Sequence, residues 1–434
     1  MRLLSLVKAR LRIVRQGLAL VVSRTEDDWR TLKFLAADLF TPSSPVTTTE
    51  LFAGRSAQID KLVEAVAERG RHAILFGEPG VGKTSIAKLL QYFVPRGLKS
   101  VQYVRKAVVS TDTFTSIWEN VFRSIKFQAH RDGIYQEYNV ADLYPDNITP
   151  SDVVRELNYF GESVIPIIVI DEFQQLKDDE AARLMSETVK AVSDEGTPAT
   201  IVVVGVGDNV DELVRGHGSI IRCSEEVLMP RMKTEEIQLL LSQRVKQLGM
   251  SLEGDAKWKI TGLSKGLPSF AHALGRASVY SAIERRSLKI AEVDIDNGIL
   301  AAIESSQYTL KSAYEAATNS NQARATFRQL LTACALTKTD ASGWFMPKDV
   351  EQPFSGIIGE KRTVEYFNGN LTDFASDKRG KILQQKGSVR NFRFRFSEPA
   401  MQPYVLMKGI QAEIIPQDAM NALSSPEQGE LFAI

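Results

Sequence analysis

The sequence has no charge to spare, few sulfur ligands and no membrane-length apolar run. Lys plus Arg and Asp plus Glu total 53 each, so the chain as a whole carries no signal for nucleic acid or acidic partners. Any basic surface has to be local. The two cysteines, Cys223 and Cys334, lie far apart, without CxxC spacing or a histidine partner pattern. A cysteine metal site is therefore not expected, and a reducing cytoplasm is. No stretch reaches the roughly 18 to 20 unbroken apolar residues needed to span a bilayer. A cytoplasmic protein without stable membrane insertion is the expectation. What is there is an ordinary globular composition, 44% hydrophobic and 24% charged, over 434 residues. That length exceeds one compact core and favours two or three domains.

One stretch organises the rest. Gly77-Glu78-Pro79-Gly80-Val81-Gly82-Lys83-Thr84 follows the apolar run Ala73-Ile74-Leu75-Phe76 and leads into a helical pattern, Ser85 to Leu90. Strand, glycine-rich loop and helix in this order make a phosphate-binding loop. Its glycines let successive backbone N–H groups point inward, and the helix adds the positive end of its dipole. Lys83 is placed to reach the β- and γ-phosphates, and the Thr84 hydroxyl to serve Mg²⁺.

The second decisive stretch is Val164-Ile165-Pro166-Ile167-Ile168-Val169-Ile170-Asp171-Glu172. A continuous β-branched run suits a strand buried on both faces of a parallel sheet. The two carboxylates then fall at its C-terminal end, where open α/β sheets bind ligands. Asp171 is expected in the Mg²⁺ shell and Glu172 beside the attacking water. A further buried strand, Ala199 to Val206, ends in Gly207-Asp208-Asn209, which brings a polar side chain beside the γ-phosphate.

The remaining chain divides by rhythm. Residues 1–45 read as an N-terminal helical region ending in a linker, Phe40 to Pro45. Within it Arg2, Lys8, Arg10, Arg12, Arg15 and Arg24 flank an apolar seam from Leu4 to Val21. That seam fits a membrane-surface helix, a targeting peptide, a partner-binding helix or an ordinary packed helix. Residues 46–230 hold the nucleotide domain, in which Lys126 to Pro150 looks like an aperiodic insertion. Residues 231–318 read as a helical lid. In 319–415 three helices precede the alternation Phe392-Arg393-Phe394-Arg395-Phe396, the layout of a winged helix. Its phenylalanines are expected to face the core and its arginines outward, so Arg362, Arg390, Arg393 and Arg395 are candidate DNA contacts. The same unit used only to bind protein is the competing reading. Residues 416–434 form a polar tail.

Together these residues resemble the AAA+ ATPases, in particular the initiator and loader group around the origin-recognition proteins. Similar plans occur in bacterial transposition regulators, STAND-type switches and antiphage defence ATPases. The resemblance implies an α/β P-loop core with a helical lid and a C-terminal winged helix, ATP with Mg²⁺, and ATP-dependent self-association. Under it, Phe52-Ala53-Gly54-Arg55 looks like the adenine-side box, Ser85 adjoins the phosphates, and Asp208 or Asn209 takes the sensor-1 place. Arg222 takes the place of an arginine finger that completes a neighbour's site. One departure stands out. Gly266-Leu267-Pro268 is followed by Ser269 where a sensor-2 arginine is common, and Arg276 lies two helical turns later, so slow hydrolysis is implied. The tail's Gln428-Gly429-Glu430-Leu431-Phe432 is similar to a sliding-clamp docking peptide. Two functions compete: an ATP switch engaging duplex DNA, and a regulatory ATPase acting on an effector protein.

Overall fold

The β-branched run before Asp171 becomes an interior strand of a five-stranded parallel sheet. The computed structural model describes residues 24–420 except 43, 47, 50–51, 96–99, 132–133, 162, 215–217, 321–325, 389–390 and 417. For 128–131, 134–136, 212, 219 and 305 it describes the backbone alone. The basic segment from Arg2 to Val21 and the clamp-like Gln428 to Phe432 thus lie outside the described residues, as does Arg390.

In chain order the strands are β1 (His72–Gly77), β2 (Ser100–Ala107), β3 (Lys126–Arg131), β4 (Ile134–Asn139), β5 (Val164–Asp171), β6 (Thr200–Val206) and β7 (Ser224–Leu228). The large sheet runs β2-β5-β6-β1-β7, so β6 separates the phosphate-loop strand from the acidic one. Alternate side chains divide its two faces. Ala73, Leu75, Ile167, Val169, Val202 and Val204 pack under the phosphate-loop helix Lys83–Phe93. Ile74, Phe76, Ile168, Ile170, Ile201 and Val203 face the helices Phe114–Arg123 and Asp179–Asp194. Pro166 is tolerated in this interior strand because pairing with β6 starts only at Ile167, so no ladder donor is missed there.

The expected aperiodic insertion contains regular structure. β3 and β4 form an antiparallel hairpin joined across residues 132–133, with Phe127 stacked on Tyr138. The polar/apolar alternation of β3 is short and β4 has none, which hid the strands; the Asp132-Gly133 dipeptide between them in the sequence was the available signal.

Beyond the sheet come the helices Thr234–Gln247, Gly254–Ser264, Pro268–Glu284 and Glu292–Ser305. The C-terminal unit follows, with helices Phe327–Leu336, Glu351–Ile358 and Val364–Phe374, the hairpin Leu383–Lys386 with Arg393–Phe396, and helix Met401–Gln411. Phe345 pairs with Phe394 as an isolated bridge beside that hairpin. Phe354, Phe367, Phe374 and Phe394 are all fully buried, each contributing about 1.5–3 kcal/mol of transfer free energy. A single apolar core joins this unit to the preceding helices and to Trp29, Leu32 and Ala36 of the N-terminal helix Glu26–Leu39. No helix among the described residues is long and apolar enough to cross a membrane.

Candidate functional site

The phosphate loop leaves β1 at Gly77, whose φ of 144° and whose closeness to the Met229 carbonyl, 2.5 Å from where a Cβ would sit, admit only glycine. Gly82, at φ 100°, turns the chain into helix Lys83–Phe93. Lys83 Nζ curls back to donate to the carbonyls of Gly77 at 2.9 Å and Glu78 at 2.7 Å. Burial pushes its pKa down to about 8, against the pull of Glu172, Asp171 and Glu78. The ammonium is thus held where phosphate oxygens would be better acceptors than carbonyls.

A cavity of about 300 Å³ opens over this loop, lined by Pro79 to Ser85 on one side and Glu172 on the other. Of the adenine-side residues, Phe52, Ala53 and Arg55 line it. Gly54 instead lies against Glu236, which accepts the Arg55 backbone N–H at 2.7 Å. The buried Arg55 guanidinium donates to the Val81 carbonyl at 3.1 Å, bracing the loop from behind.

Sequence reasoning missed part of the wall. Thr41, Pro42, Ser44 and Pro45, read as linker, and Val46, read as the first residue of the nucleotide domain, line the cavity. The Thr41 N–H donates to His272 Nδ1 at 3.0 Å and the Val46 N–H to Ser85 Oγ at 3.1 Å. Burial pushes the His272 pKa down to about 3, so the ring is a neutral acceptor. Arg244, fully buried, lines the same wall and donates to the carbonyls of Leu39 and Leu240, both at 3.1 Å. Loop composition alone gives no sign of such long-range closure.

On the acidic side, Asp171 is 1% exposed. Glu172 sits in the left-handed region at φ 58°, a conformation that costs a non-glycine residue about 1–2 kcal/mol. It is held there: Gln174 Nε2 donates to its carboxylate at 2.6 Å, while Gln174 Oε1 accepts the Val206 N–H at 2.9 Å. Gln174 thereby ties the acidic pair to the end of β6, a link no motif announced. Of the two expected Mg²⁺ ligands, Thr84 lines the cavity and Asp171 lies just behind its wall at Glu172; both offer oxygen, the donor type Mg²⁺ takes. Among the described residues no cluster of three or more His, Cys, Asp or Glu offers a different metal site.

Other expected residues lie elsewhere. Glu78 turns away from the cavity to pair with Arg231 Nε at 2.7 Å, and Arg231 also donates to Gln402 of the C-terminal unit. Asp208 accepts from Arg395, so the strand-tip carboxylate meets the hairpin, and neither Asp208 nor Asn209 lines the cavity. The expectation that Arg395 points to solvent is corrected: the side chain is 18% exposed, lies over the Trp344 ring at 4.4 Å and faces the nucleotide domain. Its face of the hairpin was legible; what covers that face was not. Arg393 is half exposed, 3.4 Å from Asp340. Arg362 donates to Glu360 at 2.6 Å and stacks on Tyr366. Ser269 borders the cavity, whereas Arg276 lines a different one with Tyr280, Glu284 and Glu398. Arg222 ends a short helix before β7 and shares a cavity with Arg69 and Arg71. The register of β7 on His72 puts it at the opposite end of β1 from the phosphate loop, about 17 Å away along the strand.

The sequence model of the family described as Novel STAND NTPase 1 matches residues 45–350. The chain belongs to this family. Its matched span runs from the cavity wall at Pro45 through the phosphate loop and acidic pair into the C-terminal unit. No curated protein matches the sequence. Among solved structures, the family member is similar to Cdc6p of Pyrobaculum aerophilum, at 17% identity and TM-score 0.44, covering 87% of this chain and 98% of that one. It is also similar to the ORC2 protein of Aeropyrum pernix, solved as ADPNP and ADP complexes, at 13% identity and TM-score 0.48 over 87% and 98% of the chains. The ORC1 protein of Aeropyrum pernix, solved in complex with DNA, is similar at 16% identity and TM-score 0.45 over 87% and 97%.

Proposed function

We propose that this protein is an ATP-binding and ATP-hydrolysing switch whose C-terminal unit is held or released according to the nucleotide. The observation that carries the reading is that both flanks of the phosphate cavity are tied to that unit. Glu78 reaches Gln402 through Arg231, and Asp208 reaches Arg395. A triphosphate draws Lys83 from its two carbonyls and loads the loop and the β6 tip with negative charge, which disturbs both ties at once.

In this reading the backbone N–H groups of the loop hold the phosphates, Lys83 binds the β- and γ-phosphate oxygens, and Glu172 polarises the water that attacks in line. Mg²⁺, held by Thr84 and Asp171, would supply the charge neutralisation that phosphoryl transfer needs. Gln174 holds Glu172 by Oε2 and leaves Oε1 for the water, so the state of β6 sets where the carboxylate stands for hydrolysis. With Ser269 where a sensor-2 arginine would stand, turnover is slow and ATP binding sets the state.

The C-terminal unit is read as a winged helix. Once released it presents Arg362, Arg393 and Arg395 to duplex DNA, and Arg222 completes the site of the next copy in an oligomer. A second reading, a regulatory ATPase of a defence or signalling system acting on an effector protein, is favoured by one observation. The basic hairpin is already neutralised within the chain by Asp208 and Asp340. ATP turnover by wild type and Glu172→Gln, with and without duplex DNA and with mass measured on the same samples, separates the two. DNA-stimulated turnover and an ATP-trapped larger assembly of the variant support the DNA switch. Turnover indifferent to DNA at constant mass removes it.

A further inference from the structure

Asp171 has both carboxylate oxygens engaged within the chain. Oδ1 accepts the Glu172 N–H at 2.9 Å, and Oδ2 accepts from Arg105 twice, from Nε at 3.0 Å and from Nη2 at 2.6 Å. Arg105 comes from β2, the edge strand beside β5, where Ala107 stands level with Asp171. Strand alternation puts Arg105 on the same face as Tyr103, which is the face under the phosphate-loop helix, because the Tyr103 hydroxyl donates to the Ala87 carbonyl at 2.9 Å. A permanently charged guanidinium therefore stands at the corner where Thr84 and Asp171 would hold Mg²⁺. Its side chain is 23% exposed, against 2% for that of Asp171, so the pair is only weakly screened on the carboxylate side.

Two consequences follow. With two donors on Oδ2 and one on Oδ1, Arg105 leaves the Asp171 carboxylate a single free lone pair for a water of a metal shell. Without a cation beside them, Asp171 and Glu172 would repel a triphosphate; with Arg105 present, the two carboxylates face Arg105 and Lys83 and the local charge balances. We infer that Arg105 is a resident counter-cation that makes nucleotide binding largely independent of Mg²⁺. The inference rests on the nucleotide-site reading above and adds to it the metal dependence of that site. Arg105 acts through Asp171: it is a positioning residue for that carboxylate and competes with the metal for it.

The test titrates the full chain with a fluorescent N-methylanthraniloyl ATP, in Mg²⁺ and in EDTA, for wild type, Arg105→Gln and Arg105→Lys. Wild-type affinity is expected to fall less than about tenfold on removing Mg²⁺, and that of Arg105→Gln on the order of 100-fold, the scale of unpairing a buried charge. Arg105→Lys, which keeps the charge and loses the fork, falls between them. The Mg²⁺ midpoint shifts to lower concentration in Arg105→Gln, because Oδ2 is freed. An equal Mg²⁺-to-EDTA ratio in wild type and Arg105→Gln overturns the inference. So does a wild type that itself loses affinity by about 100-fold in EDTA, a result that needs no variant to fold. Absence of binding by wild type in both buffers removes the nucleotide-site reading, and this inference with it.

Discussion

The nucleotide core and the C-terminal unit use the same charged side chains in opposite ways. In the core, Lys83, Arg105, Asp171 and Glu172 converge on one corner, where a small ligand of the right charge replaces internal partners. In the C-terminal unit, Arg395 and Lys386 close on Asp208 of the core. Charge in the first region makes a site, and in the second it makes a contact between regions. A count of basic residues cannot tell these apart, since it gives the charge and not its address.

The difference is sharpest at Lys83. Lys83→Ala removes the charge-assisted contacts to phosphate, worth about 2–3 kcal/mol, so nucleotide affinity is expected to fall on the order of 100-fold in a fluorescence titration. Glu172→Gln leaves binding intact and lowers turnover by about 10²–10⁴-fold; a variant with equal losses in both would place Glu172 in binding and not in water activation. Breaking the contact in the other region is a smaller perturbation. Arg395→Ala is expected to cost about 1–2 kcal/mol of docking, between an exposed pair and a buried one. Faster proteolysis near the C-terminal unit reads this, and because ATP and the docked unit oppose each other, ATP affinity is expected to rise, by no more than the same free energy. The smallest effect is that of pH. Lys83 loses its proton as pH rises through about 8 in the free protein, whereas bound phosphates hold the proton on. Affinity is therefore level below pH 8 and declines above it, by at most tenfold per pH unit. A flat profile to pH 9.5 would show that Lys83 stays charged.

What was legible in the sequence follows the same division. Gly77 to Thr84 and Asp171-Glu172 could be read because strand, loop and carboxylates are neighbours in the chain, and their periodicity fixed which faces are buried. The parallel core with the phosphate loop between strand and helix is as expected; that it has five strands is read from the structure. The wall from Thr41 to Val46 was not legible, because it depends on His272 and Ser85, 231 and 39 residues distant in sequence from their respective donors. Arg105 was hidden as a polar residue in an alternating strand, whose outward face reads as solvated until the phosphate-loop helix is laid across it. Gln174 was missed for the same kind of reason, since only the β6 backbone gives its amide a second partner. In the hairpin, alternation correctly buried Phe394 and Phe396, yet it gave no information about the Asp208 that meets Arg395 on the other side.

The central claim is that nucleotide governs the docking of the C-terminal unit on the phosphate site. Hydrogen exchange of the hairpin Leu383–Lys386 and Arg393–Phe396 measures it most directly, compared without nucleotide, with ADP and with ATP plus Mg²⁺ in Glu172→Gln to prevent turnover. The account predicts that ATP lowers protection of the hairpin and of the β6 tip together, while the core strands β1 and β5 stay protected. Hairpin protection that is identical in all three states, with nucleotide demonstrably bound, would contradict it.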